Sequence, residues 1–88
     1  MAYNSVSLTT SAVLIVPLNP DRTSLILVNN GVSNVFIGPD SALTTANGLL
    51  LTSGSNFAEN SGGNRMYLGD IYAISVSSAN ISYWERTR

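Results

Sequence analysis

Apolar runs in this chain are short and are cut off about every 8–12 residues by Gly, Pro, Asn or Asp, the spacing of an all-β domain. The longest run, Ala12–Pro17, is too short for a buried helix and far too short to span a bilayer. No window keeps a 3.6-residue apolar stripe, and the surface helix formers Ala, Glu, Lys and Gln are scarce or absent. Val6 and Leu8 alternate with Ser5 and Ser7 as in a half-buried strand, and Ala12–Val16 follows as a second run. Pro17–Arg22 reads as a connection, because Pro20-Asp21 starts a turn and a residue before proline is held extended.

Thr23–Asn30 is the strongest strand signal and stops at Asn30-Gly31, a pair that tolerates positive φ. Val35–Ile37 then reads as its hairpin partner, closed by Gly38-Pro39-Asp40. Beyond the polar loop Ser41–Gly48 come Leu49–Leu51, a turn at Ser53-Gly54, and a run over Asn56–Glu59. Asn60–Asn64, NSGGN, is the expected mobile tip. Tyr67-Leu68, Ile71–Val76 and Ile81–Glu85 complete the set, the last two joined through Ser77–Asn80. The expectation is one antiparallel β-sandwich over residues 1–88, jelly-roll-like or immunoglobulin-like, of about eight short strands, with flexible ends at Met1-Ala2 and Thr87-Arg88.

A sheet wet on one side alternates apolar with polar residues, and several of these runs do not. Leu25 and Leu27 oppose Ile26 and Val28; Val13 and Ile15 oppose Leu14 and Val16; Tyr72, Ile74 and Val76 oppose Ile71 and Ala73. A sandwich this small has one interior, and no helix is available to cover a second apolar face. Either a strongly coiled small barrel buries strand ends on both sides, or another copy of the chain or a larger surface provides the cover. A short chain without disulfide or metal is also one that commonly gains stability by oligomerising.

Composition narrows the function classes. The 88 residues contain no Cys, His, Lys or Gln, while Ser, Thr and Asn make up 30 of them. Thiol chemistry, disulfides, zinc and haem ligation are therefore excluded, along with the usual bases for a Ser or Thr nucleophile. Four basic against five acidic residues, net charge −1, give no field for nucleic acid. No enzyme, cofactor or metal is expected. Asp21, Asp40 and Asp70 each follow Pro or Gly, where an Asp side chain caps backbone N–H groups, and no calcium-loop spacing occurs. A small hydrolase would have to draw on Asp40 or Glu59. The opening MAYNSVSLTT lacks the basic and apolar stretches of a secretory signal, so synthesis in the cytoplasm is expected.

Two residues stand out as candidates for contact. Arg22, between a turn and the central strand, is either an anchor paired with Asp40 or a turn carbonyl, or a contact to a neighbouring subunit. Trp84 is either a plug of the last strand or an anchor against a partner. With the second apolar face, set as Leu14, Val16, Ile26 and Val28 or their opposites, they form the expected interface.

Three segments together carry a family resemblance: NPDRTSLILVNNG (Asn19–Gly31), NVFIGPDSALTTANGLLL (Asn34–Leu51) and GDIYAISVSSANISYWE (Gly69–Glu85). They resemble the small β-sandwich virion proteins of tailed bacteriophages, over roughly Ser5 to Glu85. The chain departs from that pattern at Pro39, where a small residue is usual, and over Ser53–Gly62, which lacks a Pro-Gly turn. The motifs are turn and core positions, with no active site to transfer. The resemblance implies a head-decoration (cement) or head-fibre protein of the virion, a homo-oligomer and by analogy a trimer, bridging major capsid protein subunits, with neither nucleic acid nor membrane as partner. A tail, baseplate or fibre module that binds a host receptor or glycan is the alternative.

Overall fold

The computed structural model describes residues 2–60 and 67–87, and these residues are all-β with no helix. Eight strands follow in order: β1 (Ala2–Leu8), β2 (Val13–Val16), β3 (Arg22–Asn29), β4 (Val35–Gly38), β5 (Leu49–Leu51), β6 (Asn56–Asn60), β7 (Ile71–Ser75) and β8 (Ala79–Thr87). Pairing runs outward from the β4–β5 connection. β4 pairs β5, β3 pairs β6, β2 pairs β7 and β1 pairs β8, every pair antiparallel. The chain is thus one long folded ribbon. It rolls over so that β8 also pairs β3 and β7 also pairs β4.

Rolling produces two four-stranded sheets, a front sheet ordered β1-β8-β3-β6 and a back sheet ordered β2-β7-β4-β5. That order is the jelly roll, and it settles the choice left open between jelly-roll and immunoglobulin topologies. The molecule measures 35 × 23 × 18 Å, its short dimension that of two stacked sheets with their outer side chains.

Leu8, Leu25, Leu27 and Ile81 of the front sheet meet Ile15, Val16, Val35, Ile37, Leu51, Ile71 and Ala73 of the back sheet in one core. Each such Leu, Ile or Val contributes about 1.5–3 kcal/mol relative to an exposed position. Among the described residues no buried side-chain N or O lacks a hydrogen-bond partner.

Several local expectations are corrected. β3 and β4 do not form a hairpin, because they lie in different sheets and residues 30–34 carry the chain from one layer to the other. The crossing is held by Asn29, whose Nδ2 donates to the carbonyls of Ser33 and Leu51 (both 2.9 Å) and whose Oδ1 accepts from the Gly31 N–H (3.0 Å). Positive φ is found not at Asn30-Gly31 but, among the described residues, only at Gly54 (φ 81°). Tyr67-Leu68 is not a strand, and Ala2 and Thr87 are strand residues paired with Glu85 and Arg22 rather than loose ends. Of the loop Asn60–Asn64, Asn60 ends β6 and the remainder lies outside the described residues, as do Met1 and Arg88.

Two register shifts decide which side chains turn inward. One lies between Leu14 and Val16 on β2 and the other between Arg22 and Ser24 on β3. An extra residue in one strand reverses the alternation beyond it. Val16 therefore points into the core although it shares parity with the exposed Leu14, and Arg22 is buried although it shares parity with the exposed Ile26.

Candidate functional site

The expected interface residues divide among three places. Arg22 is 3 % exposed and is an internal anchor. Its Nε donates to Glu85 Oε2 at 2.6 Å, its Nη1 to the carbonyls of Tyr67 (2.9 Å) and Gly69 (3.3 Å), and its Nη2 to that of Pro17 (2.9 Å). The planar guanidinium ties β8 and two connections together at one end of the sandwich. The anchor reading holds through turn carbonyls, as expected, but with Glu85 rather than Asp40 as the acid. Arg22 and Val16 are therefore withdrawn from the interface, since neither is accessible to a partner.

Ile26, Val28 and Trp84 share the outer face of the front sheet. Ile26 sits opposite Trp84 on one side and Ala58 on the other, and Val28 sits between Ser82 and Asn56. Trp84 is 50 % exposed, so it is not a core plug. On β1 the position opposite Trp84 is Tyr3, and the positions beyond are polar: Ser5 and Ser7 on β1, Asn80 and Ser82 on β8, and the Ser24–Arg86 pair. The Asn30 amide donates to Ser82 Oγ.

Leu14 belongs to the opposite side of the molecule, and what surrounds it there is the main finding. Leu14 sits opposite Tyr72, which sits opposite Gly38; in the next row Ile74, Phe36 and Leu50 lie side by side on three adjacent strands. Val76, just past the end of β7, is exposed as well. Leu14 and Leu50 are 43 % and 53 % exposed. Ile74 is only 7 % exposed, yet it stands outside the core cluster, in the same row as Phe36. None of the residues in β2, β4, β5 and β7 is charged, and only Tyr72 and Ser75 carry polar side chains.

Phe36, Leu50, Tyr72 and Ile74 were not among the expected interface residues. Their signal was present in the two-sided apolar runs over Leu49–Leu51 and Ile71–Val76, but alternation alone does not say which parity faces inward.

A third feature is a cavity of about 490 Å³ at the end of the sandwich where β4 stops, walled by Ile37, Leu43, Leu49, Phe57 and Ile71. Its polar neighbours are already engaged. Asp40 Oδ1 accepts from the Ala42 N–H (2.9 Å), Asn47 Oδ1 from the Thr44 N–H (2.8 Å), and the Tyr67 hydroxyl donates to the Asp70 carbonyl (2.6 Å). Asp70 Oδ1 caps the Leu18 N–H at 2.7 Å. Asp40 thus does the local turn-capping work its Pro-Asp position implied, whereas Asp70 accepts from a backbone N–H 52 residues away and Glu85 is committed to Arg22.

Compared with protein-family models, with curated proteins and with solved structures, the chain matches none.

Proposed function

We propose that this chain is a non-enzymatic structural protein of a phage virion, a capsid decoration (cement) protein that associates with itself and bridges major capsid protein subunits. The observation that carries the reading is the back sheet, apolar on both faces and without charge in any of its strands. One face is consumed by the core. A second apolar face of this extent is the mark of a surface that works covered.

The remainder of the molecule agrees with that role. Abundant Ser, Thr and Asn and few charges suit contacts made by shape and backbone hydrogen bonds. The jelly roll serves viral capsid and lectin domains alike, so the fold is compatible with the reading without choosing it. A contact of ~800 Å² per partner, about 55 % apolar, removes about 440 Å² of apolar surface and gives on the order of 10 kcal/mol gross per side, before association costs. Repetition over a closed shell multiplies the effect through avidity. The threefold assembly belongs to the resemblance rather than to the geometry.

The test is cosedimentation of the purified protein with undecorated tailed-phage capsids, followed by imaging of the loaded particles. Saturable binding at regular lattice positions is the expected result. A virion map that instead places the chain at the tail, with hits on a glycan array that vanish in Trp84→Ala, would replace the proposal by receptor binding, for which the half-exposed Trp84 is the available stacking surface.

A further inference from the structure

We infer that two copies of the chain pair back sheet against back sheet, about a two-fold axis that runs across the strands. The inference rests on the self-association in the reading above and adds to it the face, the symmetry and the orientation.

Charge selects the occupant. In a two-fold contact every group meets the same surface on the other copy, so a charged face brings like charges together. The front sheet presents Arg86 on its outer face, whereas the back sheet presents no charged residue. The same absence disfavours a polar partner, since Tyr72 alone offers a side-chain hydrogen-bonding group on the outer rows. What fits is a surface equally flat, apolar and uncharged, and a second back sheet is one. Two such faces stack about 10 Å apart, as the two sheets within the sandwich do.

Area sets how much of the face is needed. Four strands about 4.8 Å apart, with three to five residues each rising about 3.3 Å, give an apolar centre of about 250 Å². A stable interface takes about 800 Å² per partner. The broad side of the molecule, 35 by 23 Å, has a footprint of about 800 Å². The pair therefore uses the whole broad side, an apolar centre within a polar rim.

The rim sets the orientation. At one end of the back sheet the flanking segments 9–12, 52–55 and 76–78 contain no charged residue and are rich in hydroxyls. At the other end the described parts of the connections carry Asp21, Asp40 and Asp70, while Arg86 at that end belongs to the front sheet. An axis along the strands would stack acidic end on acidic end. An axis across them sets each acidic end over the hydroxyl-bearing end of the second copy, and it lays β5 over β5.

Light scattering and sedimentation over a concentration series test this, with far-UV circular dichroism and thermal melting as the check on folding. The unmodified protein is expected to reach the mass of two chains. Leu50→Asp places a carboxylate near its own copy and is expected to raise the dissociation constant by about 30-fold or more, the scale of an interface hot spot. Should Leu50→Asp fold poorly, the uncharged Leu50→Asn and Leu14→Asn make the same test at positions that are already half exposed. Trp84→Ser, on the front face, is expected to leave the mass unchanged. A two-chain mass that survives in folded Leu50→Asp and Leu14→Asn, or is lost in Trp84→Ser, overturns the face assigned here but leaves self-association standing. A three-chain mass overturns the two-fold pairing in the same way. A single-chain mass at every concentration overturns the pairing and self-association together, and capsid cosedimentation then decides separately whether the virion role survives.

Discussion

The front strands hold Arg22, Glu59, Glu85 and Arg86, whereas the back strands hold no charged residue at all. Both sheets supply an inner face to one core, so the core does not account for the difference. It lies on the outside. The front sheet is built as an antiparallel sheet with a wet side, where Ile26, Val28, Ala58 and Trp84, with Tyr3 opposite Trp84, are followed along the strands by Ser, Asn and Arg. The back sheet is built as though both sides were interior. The lesson is that a two-sided apolar strand carries information only once its sheet is known. Thr23–Asn30 shares the pattern with Ile71–Val76, yet its outer residues are diluted by polar neighbours on β1, β6 and β8, while those of β7 are reinforced by β2, β4 and β5.

The largest expected effect lies where the front sheet takes charge inside. Arg22→Ala leaves Glu85 buried without its partner and frees the carbonyls of Pro17, Tyr67 and Gly69, so a loss of about 3–5 kcal/mol is expected in urea unfolding at one fixed protein concentration. The paired replacement Arg22→Met with Glu85→Leu removes both charges and should recover a large part of that loss. If the double variant is no better than the single one, the carbonyl contacts rather than the ion pair hold that end together.

Next in size is the junction of the two sheets. Asn29 is fully buried on β3, and its side chain reaches the carbonyl of Leu51 on β5 as well as Ser33 and Gly31 in the crossing. Asn29→Ala strips the partner from three backbone groups at once. The expected cost is about 2–3 kcal/mol in the same assay, the scale of buried polar groups left unsatisfied. Asn29→Asp should cost at least as much, since it sets a carboxylate against two carbonyl oxygens. A near-neutral Asn29→Ala would mean that apolar packing alone joins the sheets.

These residues also mark how far the sequence could be read. The number, spacing and approximate limits of the strands followed from the punctuation, because Gly, Pro, Asn and Asp act locally. So did the two-sided apolar runs, from which the exposed back face derives. What stayed hidden depends on distant parts of the chain. Glu85 meets Arg22 across 63 residues, while Asp40 stood nearer in sequence and was the acid expected. Val16 shares a parity with Leu14 that the register shift on β2 reverses, and nothing in the residue types there announces an extra residue. Asn29 read as the end of a strand before a tight turn, and its carboxamide instead lets the chain change layers. Local chemistry was legible; partner choice and register were not.

A smaller effect is expected at Gly48, in the loop just before β5 of the back sheet. A Cβ there would come within 2.7 Å of both the Leu43 Cδ1 and the Phe36 Cβ, so both contacts must be relieved by a shift. Leu43 is a plug between the 39–48 loop and the end of the sandwich, and Phe36 is the centre of the outer row. Gly48→Ala is expected to cost about 1–3 kcal/mol in urea unfolding through overpacking. It should also lower the pairing affinity, because Phe36 is displaced on the face assigned to the second copy. Loss of stability with unchanged pairing would place Phe36 outside the contact.

The smallest effect makes the most direct contrast between the sheets. Leu50→Thr and Ile26→Thr each replace a half-exposed aliphatic residue on an outer face with another strand former, one on the back sheet and one on the front. Below the concentration at which copies pair, both should lie within about 0.5 kcal/mol of the parent, since neither side chain belongs to the core. Above it the two should separate: Ile26→Thr keeps the concentration dependence of the melting temperature, and Leu50→Thr loses much of it, because binding between native copies stabilises them by mass action. Equal behaviour at every concentration would mean that the two outer faces differ in composition and not in use.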